Sequence, residues 1–249
     1  GGRAPVAALV RLLSPLDIAA PAVRTAVSRM VRQGWLQHLQ LQSGPGYVLT
    51  QKAARLLDEV AARSSRTPRV TWDGRFDLVV TTTAVPRRQQ QRLAAELAFR
   101  GYGVLDNRTW VAPRAAADVD AVLTEAQVHY ERFTAAHAAG DPGAARIISR
   151  AWDLPEIGRA YERFVAEQQP LLQAVTARSS DEQAYAARFR LVHAWRGFLF
   201  RDPHLPAALL PDRWPGTAAA AFFDRHATRL RPAADRYVAH CLDQATHRR

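Results

Sequence analysis

Five side chains that can donate hydrogen bonds to an anion or a base edge, Arg24, Thr25, Ser28, Arg29 and Arg32, fall within one short stretch. At about 100° per residue they share one side of a helix. Val23, Ala26, Val27, Met30 and Val31 take the other side and read as its core face. Arginine is a planar fork that matches the O6 and N7 acceptors of guanine in a major groove. Arg24 and Arg29 are therefore the candidates for base contacts, Thr25 and Ser28 suit phosphate or base, and Arg32 with Lys52 suits phosphate. A solvated basic face on an ordinary amphipathic helix has the same pattern, so the surrounding elements have to decide.

Those elements come in a recognisable order. Pro5 to Leu13 reads as a helix, broken by Ser14-Pro15-Leu16-Asp17. The next helix starts near Pro21, a first-turn position that proline tolerates, and ends before Gly34. Trp35 to Leu41 alternates as a strand does, Gln42 to Gly46 is a turn, and Tyr47-Val48-Leu49 returns. Thr50 then caps a helix whose core side includes Ala53, Leu56, Leu57 and Val60. Helix, turn, helix, hairpin, helix is the order of a winged helix-turn-helix, and a hairpin behind the basic helix favours nucleic acid over a plain surface helix.

Charge points the same way. The net charge is +11, and residues 1–67 carry 9 basic and 3 acidic side chains against 9 and 8 in 68–135 and 16 and 12 in 136–249. A clustered positive field suits a polyanion, because each neutralised phosphate releases counterions. Lys52 is the sole lysine. A GC-rich genome explains arginine over lysine, but not the local excess of bases over acids. Hydrophobic residues make up 48% of the chain, enough for a packed core and too many for bulk disorder. Cys241 stands alone, so no intrachain disulfide forms, and it reads as a buried small hydrophobe. No apolar run approaches the roughly 20 residues of a membrane span, and no signal peptide is visible. The expectation is a cytoplasmic protein with no membrane partner. The opening Gly1-Gly2-Arg3 lacks a methionine, consistent with removal of a native leader.

The expected fold class is α+β in three segments: a winged helix-turn-helix over 1–66, a ferredoxin-like unit over 70–135 and an all-helical region over 143–249. Arg63 to Pro68 reads as a linker and Ala138 to Gly143 as a turn-rich break. In the middle segment, strands over 75–83, 101–105, 109–112 and 127–133 alternate with helices over 86–100 and 115–125, which is β-α-β-β-α-β. The last segment offers helices over 147–152, 155–177, 181–200 and 217–245. Ser180 with Gln183 forms a capping box, and Tyr185, Phe189, Val192, Trp195 and Leu199 form an apolar stripe.

Catalytic motifs are missing: no Gly-x-Ser-x-Gly elbow, Walker loop, dinucleotide glycine fingerprint or His-Glu-x-x-His occurs. No catalytic residue, metal ligand or resident cofactor is expected, and the chain does not read as an enzyme. Arg201 to Pro206 looks like a rigid corner with Asp202 as a cap. Trp152, Tyr161, Phe164, Trp195, Phe198 and Trp214 divide between core and a pocket wall.

The run Val23-Arg24-Thr25-Ala26-Val27-Ser28-Arg29-Met30-Val31-Arg32-Gln33-Gly34-Trp35-Leu36 resembles the recognition-helix signature of the PaaX family, repressors of phenylacetic-acid catabolism. Tyr47-Val48-Leu49-Thr50 resembles the end of that family's wing, Trp72 to Phe76 the start of its middle domain, and Gly101-Tyr102-Gly103 its second strand. Leu191 to Arg196, Asp202 to Pro206, Leu209-Leu210-Pro211 and Trp214-Pro215-Gly216 resemble its C-terminal signature. The resemblance implies a winged-helix reader, a Cas2-like ferredoxin-fold middle domain and a helical C-terminal domain. It implies a homodimer on an inverted-repeat operator in double-stranded DNA, released by an aryl-CoA thioester, typically phenylacetyl-CoA. It also implies a further helix ahead of the region matching Pro5, which residues 1–4 are too few to supply. A CoA thioester joins polyanionic phosphates to an apolar acyl group. Arginines beside an aromatic-lined pocket would suit it, and the expected effector residues are Tyr161, Arg188, His193, Trp195, Arg196 and Arg201.

Two enzyme readings compete. A Cas2-like metal-dependent nuclease needs an aspartate at the end of the first middle-domain strand, but that strand runs out in Thr81-Thr82-Thr83 with Asp77 inside it. An acyl-CoA-processing enzyme lacks its nucleophile.

Overall fold

The computed structural model describes residues 2–41, 44–64 and 71–246, with the side chains at 59–64, 141, 245 and 246 outside that description. The fold is mixed α+β. A strand unforeseen in the sequence, β1 (Arg3–Pro5), precedes α1 (Val6–Leu13). Pro5 ends that strand and stands at the helix N-cap in extended conformation, where a missing N–H costs nothing. One 3-10 turn over Ser14–Leu16 then leads to α2 (Ala20–Arg32). Gly34 ends α2 at φ 72°, in the left-handed region that glycine enters freely. There the Gly34 N–H donates to the Val31 carbonyl at 3.0 Å and the Trp35 N–H to Met30 at 2.9 Å.

The hairpin β2 (Leu36–Leu41) and β3 (Gly44–Leu49) pairs Leu36 with Leu49 and Leu41 with Gly44, and β1 adds to the other side of β3. The turn expected over 42–46 is shorter than that: Gly44 to Gly46 are already strand, and residues 42–43 lie outside the described ones. Thr50 caps α3 (Gln51–Ser64) as expected: its Oγ1 accepts from the Ala53 N–H at 3.2 Å and donates to the Gly34 carbonyl at 2.8 Å. The linker expected over 63–68 is helical at 63–64, and its remainder lies outside the described residues.

Ala8, Val23, Val27 and Ala53 are buried, but three expected core residues are not: Met30 is 38% exposed, Leu56 42% and Leu57 47%. Helix α3 meets β3, and Ala53 in its first turn is the buried one of its four expected core positions among those described. The Val60 side chain is outside the described set.

The middle segment alternates as read: β4 (Arg75–Thr81), α4 (Arg87–Phe99), β5 (Gly103–Val104), β6 (Thr109–Ala112), α5 (Val119–Glu125) and β7 (Tyr130–Ala136). Its sheet order is β5-β6-β4-β7, with every pair antiparallel. Period two sends Val79 to one face and Phe76 to the other. Val79, Leu93, Leu97, Tyr102, Trp110, Val119 and Leu123 make one core. Phe76 and Val111 join Ile148, Trp152 and Leu205 in a second. Strand β7 starts three residues later than expected, because Gln127 at φ 53° and the Val128 N–H bonded to the Leu123 carbonyl finish α5.

Helix α6 (Gly140–Ala151) begins inside the expected break. Pro142 falls in its first turn, and Gly143 leaves room for the His137 ring, 1.9 Å from where a Cβ would stand. Then come α7 (Leu154–Gln173), α8 (Asp181–Arg196), two 3-10 turns and α9 (Pro215–Thr246). The Ser180–Gln183 capping box is formed, at 3.0 and 3.2 Å. The expected α8 stripe is only half covered, with Phe189 40% exposed, while Ala184, Ala186 and Leu191 are buried. Rings of α8 meet α9: Tyr185 packs on Tyr237 and Trp195 stacks on Phe223. Among the described residues no helix is long and apolar enough to cross a membrane.

The chain divides into two compact units, both discontinuous: Gly1–Arg66, Phe164–Trp195 and Ala220–Arg249 make one, and Thr67–Arg163 with Arg196–Ala219 the other. In the first unit, Arg190 of α8 donates to the Pro15 carbonyl at 3.3 Å and pairs with Asp17, while the Tyr237 hydroxyl of α9 donates to the Arg11 carbonyl.

Candidate nucleic-acid interface

Helix α2 turns Val23 and Val27 inward, so geometry forces Arg24, Thr25, Ser28, Arg29 and Arg32 outward, and all five are exposed. Arg24, Arg29 and Arg32 have no acid partner among the described residues. Their guanidinium donors are open to solvent, and Arg29 and Arg32 lie in the last turn, where a cation also complements the helix dipole. The Thr25 Oγ1 donates to the Pro21 carbonyl at 3.0 Å. The oxygen can still accept. The Lys52 ammonium lies 4.3 Å from the centroid of the Trp35 ring. That cation–π contact anchors an exposed charge at the start of α3, beside the hairpin base. Sequence reasoning passed over His38 on β2, whose ring lies 5.0 Å from that of Tyr47. Their cross-strand register was the available signal.

Asp77 in β4 is 5% exposed and takes hydrogen bonds from the Tyr102 hydroxyl and, at 3.0 Å, from Arg132 of β7. Burial, reinforced by the Asp77 hydrogen bond, pushes the Tyr102 hydroxyl up. It stays protonated and donating through the physiological range. Burial opposes the Arg132 charge, but the Asp77 hydrogen bond together with the charges of Asp77 and Asp120 outweighs it, and the guanidinium is held more firmly protonated. Arg132 also pairs with Asp120. Among the described residues, no group of three or more His, Cys, Asp or Glu side chains is placed to hold a metal ion.

The six expected effector residues divide evenly between the two units, with Tyr161, Arg196 and Arg201 in one and Arg188, His193 and Trp195 in the other. Tyr161 is buried, stacks on Phe198 at 4.0 Å and donates to Asp202. Asp202 also accepts from the His204 N–H at 2.6 Å, so it does cap the corner. Arg196 and Arg201 are exposed in the same unit. Arg188, His193 and Trp195 belong to the other unit. There Arg188 donates to the Ala227 carbonyl, His193 lies parallel to Phe189, and Trp195 stacks on Phe223. Cys241 is a buried free thiol, as read.

Family models match this chain at both ends. Residues 1–53 match the PaaX-like protein family and residues 152–240 the PaaX-like protein C-terminal domain. The Transcriptional repressor PaaX of Escherichia coli (strain K12) is 28% identical over 247 residues, 96% of this chain and 78% of that one. The chain belongs to the PaaX family. A solved structure, the uncharacterized protein Rv0674 from Mycobacterium tuberculosis, superposes with a TM-score of 0.59 at 22% identity, over 94% of this chain and 91% of that chain. That likeness concerns the fold. The PaaX-like match at 1–53 includes α2 and the hairpin, and the match at 152–240 includes the Asp202 corner.

Proposed function

We propose that this protein is a DNA-binding transcriptional repressor of a phenylacetate-type catabolic operon, acting in the cytoplasm and not an enzyme. The name of its E. coli relative, a transcriptional repressor, supports the reading. The observation that carries it is the outer face of α2, with three arginines lacking acid partners among the described residues, followed directly by a hairpin. In this reading residues 1–66 are a winged helix-turn-helix with β2 and β3 as the wing. Arg24 and Arg29 read bases, and Thr25, Ser28, Arg32 and Lys52 hold backbone or base atoms. Residues 70–135 form a Cas2-like ferredoxin-fold domain that joins two copies, because an inverted repeat needs two matched readers. Residues 143–249 form a helical domain that answers an aryl-CoA thioester such as phenylacetyl-CoA. Induction requires that this ligand prefer the DNA-free conformation, since equal affinity for both states shifts nothing.

A gel shift on the gene's own upstream region tests the DNA assignment. Arg24→Ala or Arg29→Ala is expected to cost about 1–3 kcal/mol of specific binding. Wild-type affinity is expected to fall steeply with added salt. Unchanged operator affinity in both variants, or a flat salt response, would refute the reading.

A further inference from the structure

The unit that holds the four-stranded sheet contains a cavity of about 770 Å³, bounded by Trp72, the second half of α6, the start of α7 and residues 208–211. That volume is in the range of small-ligand sites. Its wall is mostly apolar: Trp72, Ile148, Trp152, Leu154, Leu209 and Pro211. The polar side chains on the wall are mostly spoken for. Ser149 donates to the Arg146 carbonyl, and Asp153 accepts from the Glu156 N–H at the α7 N-terminus. The Trp72 indole N–H donates to the Arg75 carbonyl. Trp152 is 9% exposed and packs its Cε2 edge against Gly103. One charged donor is left: Arg150, also on the wall, has no acid partner among the described residues. One helical turn earlier, the exposed Arg146 has none either. Residues four apart share a helix face, so α6 carries one open guanidinium on the cavity wall and a second one turn away from it.

We propose that this cavity is the effector site, taking an aromatic acyl group on a phosphate-bearing carrier. The ring lies among Trp72, Trp152 and Ile148, and Arg150 holds the anionic carrier, with Arg146 one helical turn away to meet its outer end. None of Tyr161, Arg188, His193, Trp195, Arg196 and Arg201 borders it. The inference rests on the effector-responsive reading above.

Calorimetry on the full chain with phenylacetyl-CoA, phenylacetate and CoA is the test, with circular dichroism confirming that each variant is folded. Ala145→Trp fills the mouth from an exposed helix position, and Arg150→Glu reverses the nearest charge. Each is expected to weaken phenylacetyl-CoA binding by about tenfold or more, Ala145→Trp by steric exclusion and Arg150→Glu by loss of one charge-assisted hydrogen bond. Operator binding should stay near wild type, and Arg196→Ala should leave thioester binding unchanged. Free CoA and phenylacetate are each expected to bind more weakly than the thioester. Wild-type affinity in both folded cavity variants would overturn the site and leave the effector reading standing. If wild-type protein binds none of the three probes, the effector reading falls and the site with it.

Discussion

Arg132→Ala is expected to destabilise the protein by about 3–5 kcal/mol, because it strands a buried carboxylate. Asp77 is 5% exposed and depends on two donors, Arg132 and Tyr102. Removing the guanidinium leaves a charge in a low-dielectric setting with one neutral hydrogen bond, and that residual penalty is far larger than the net worth of the pair. The control is on the other end of the same arginine. Asp120 is 56% exposed at its side chain, so Asp120→Asn should cost no more than about 1 kcal/mol. Replacing Asp77 and Arg132 together by Asn and Leu should recover part of the loss, since the stranded charge is then gone. Urea denaturation of the four proteins separates the cases. Equal, small losses for Arg132→Ala and Asp120→Asn would show that water already solvates Asp77.

Trp110→Ala is expected to cost a similar amount, about 3–5 kcal/mol, by opening a cavity under α4 and α5. Trp110 is 1% exposed and packs with Val79, Leu93 and Leu97 in the core on that face of the sheet. Trp110→Phe should do much less harm than truncation to alanine. The Trp110 Nε1 is buried with no hydrogen-bond partner among the described residues, so the indole carries an unmet polar group that phenylalanine lacks. Deleting such a group offsets part of the lost volume. Thermal melts of the two variants decide this. A Phe variant as damaged as the Ala variant would mean that an ordered water satisfies the indole N–H.

Local structure was legible in the sequence wherever one short pattern sufficed. The valines of α2 at i and i+4 placed its buried face, Gly34 its end, and Thr50 and Ser180 their caps. The β-α-β-β-α-β alternation was readable because each strand carried β-branched residues between helix-period runs. What stayed hidden depended on distance along the chain. Asp77 and Arg132 are 55 residues apart, and Asp77 alone looked like an ordinary strand acid. The cavity draws on residue 72, on 144–155 and on 208–211, three stretches that no periodicity connects. The ring partners within the helical region were hidden in the same way: Trp195 stacks on Phe223 and Tyr161 on Phe198. Leu56 and Leu57 failed for a related reason: helical period says which residues share a side, not how far a neighbouring element reaches.

The interleaving of the two units has a consequence for biosynthesis. Residues of α2 and the hairpin emerge early, yet the unit that contains them also takes in Phe164–Trp195 and Ala220–Arg249. At roughly 5–20 residues per second, the ribosome needs on the order of 10–40 s to add the residues beyond Arg66. Throughout that interval Arg11 lacks Tyr237, and for much of it Asp17 lacks Arg190. The segment synthesised first is thus among the last to be completed, and a message cut short before residue 219 yields neither unit whole.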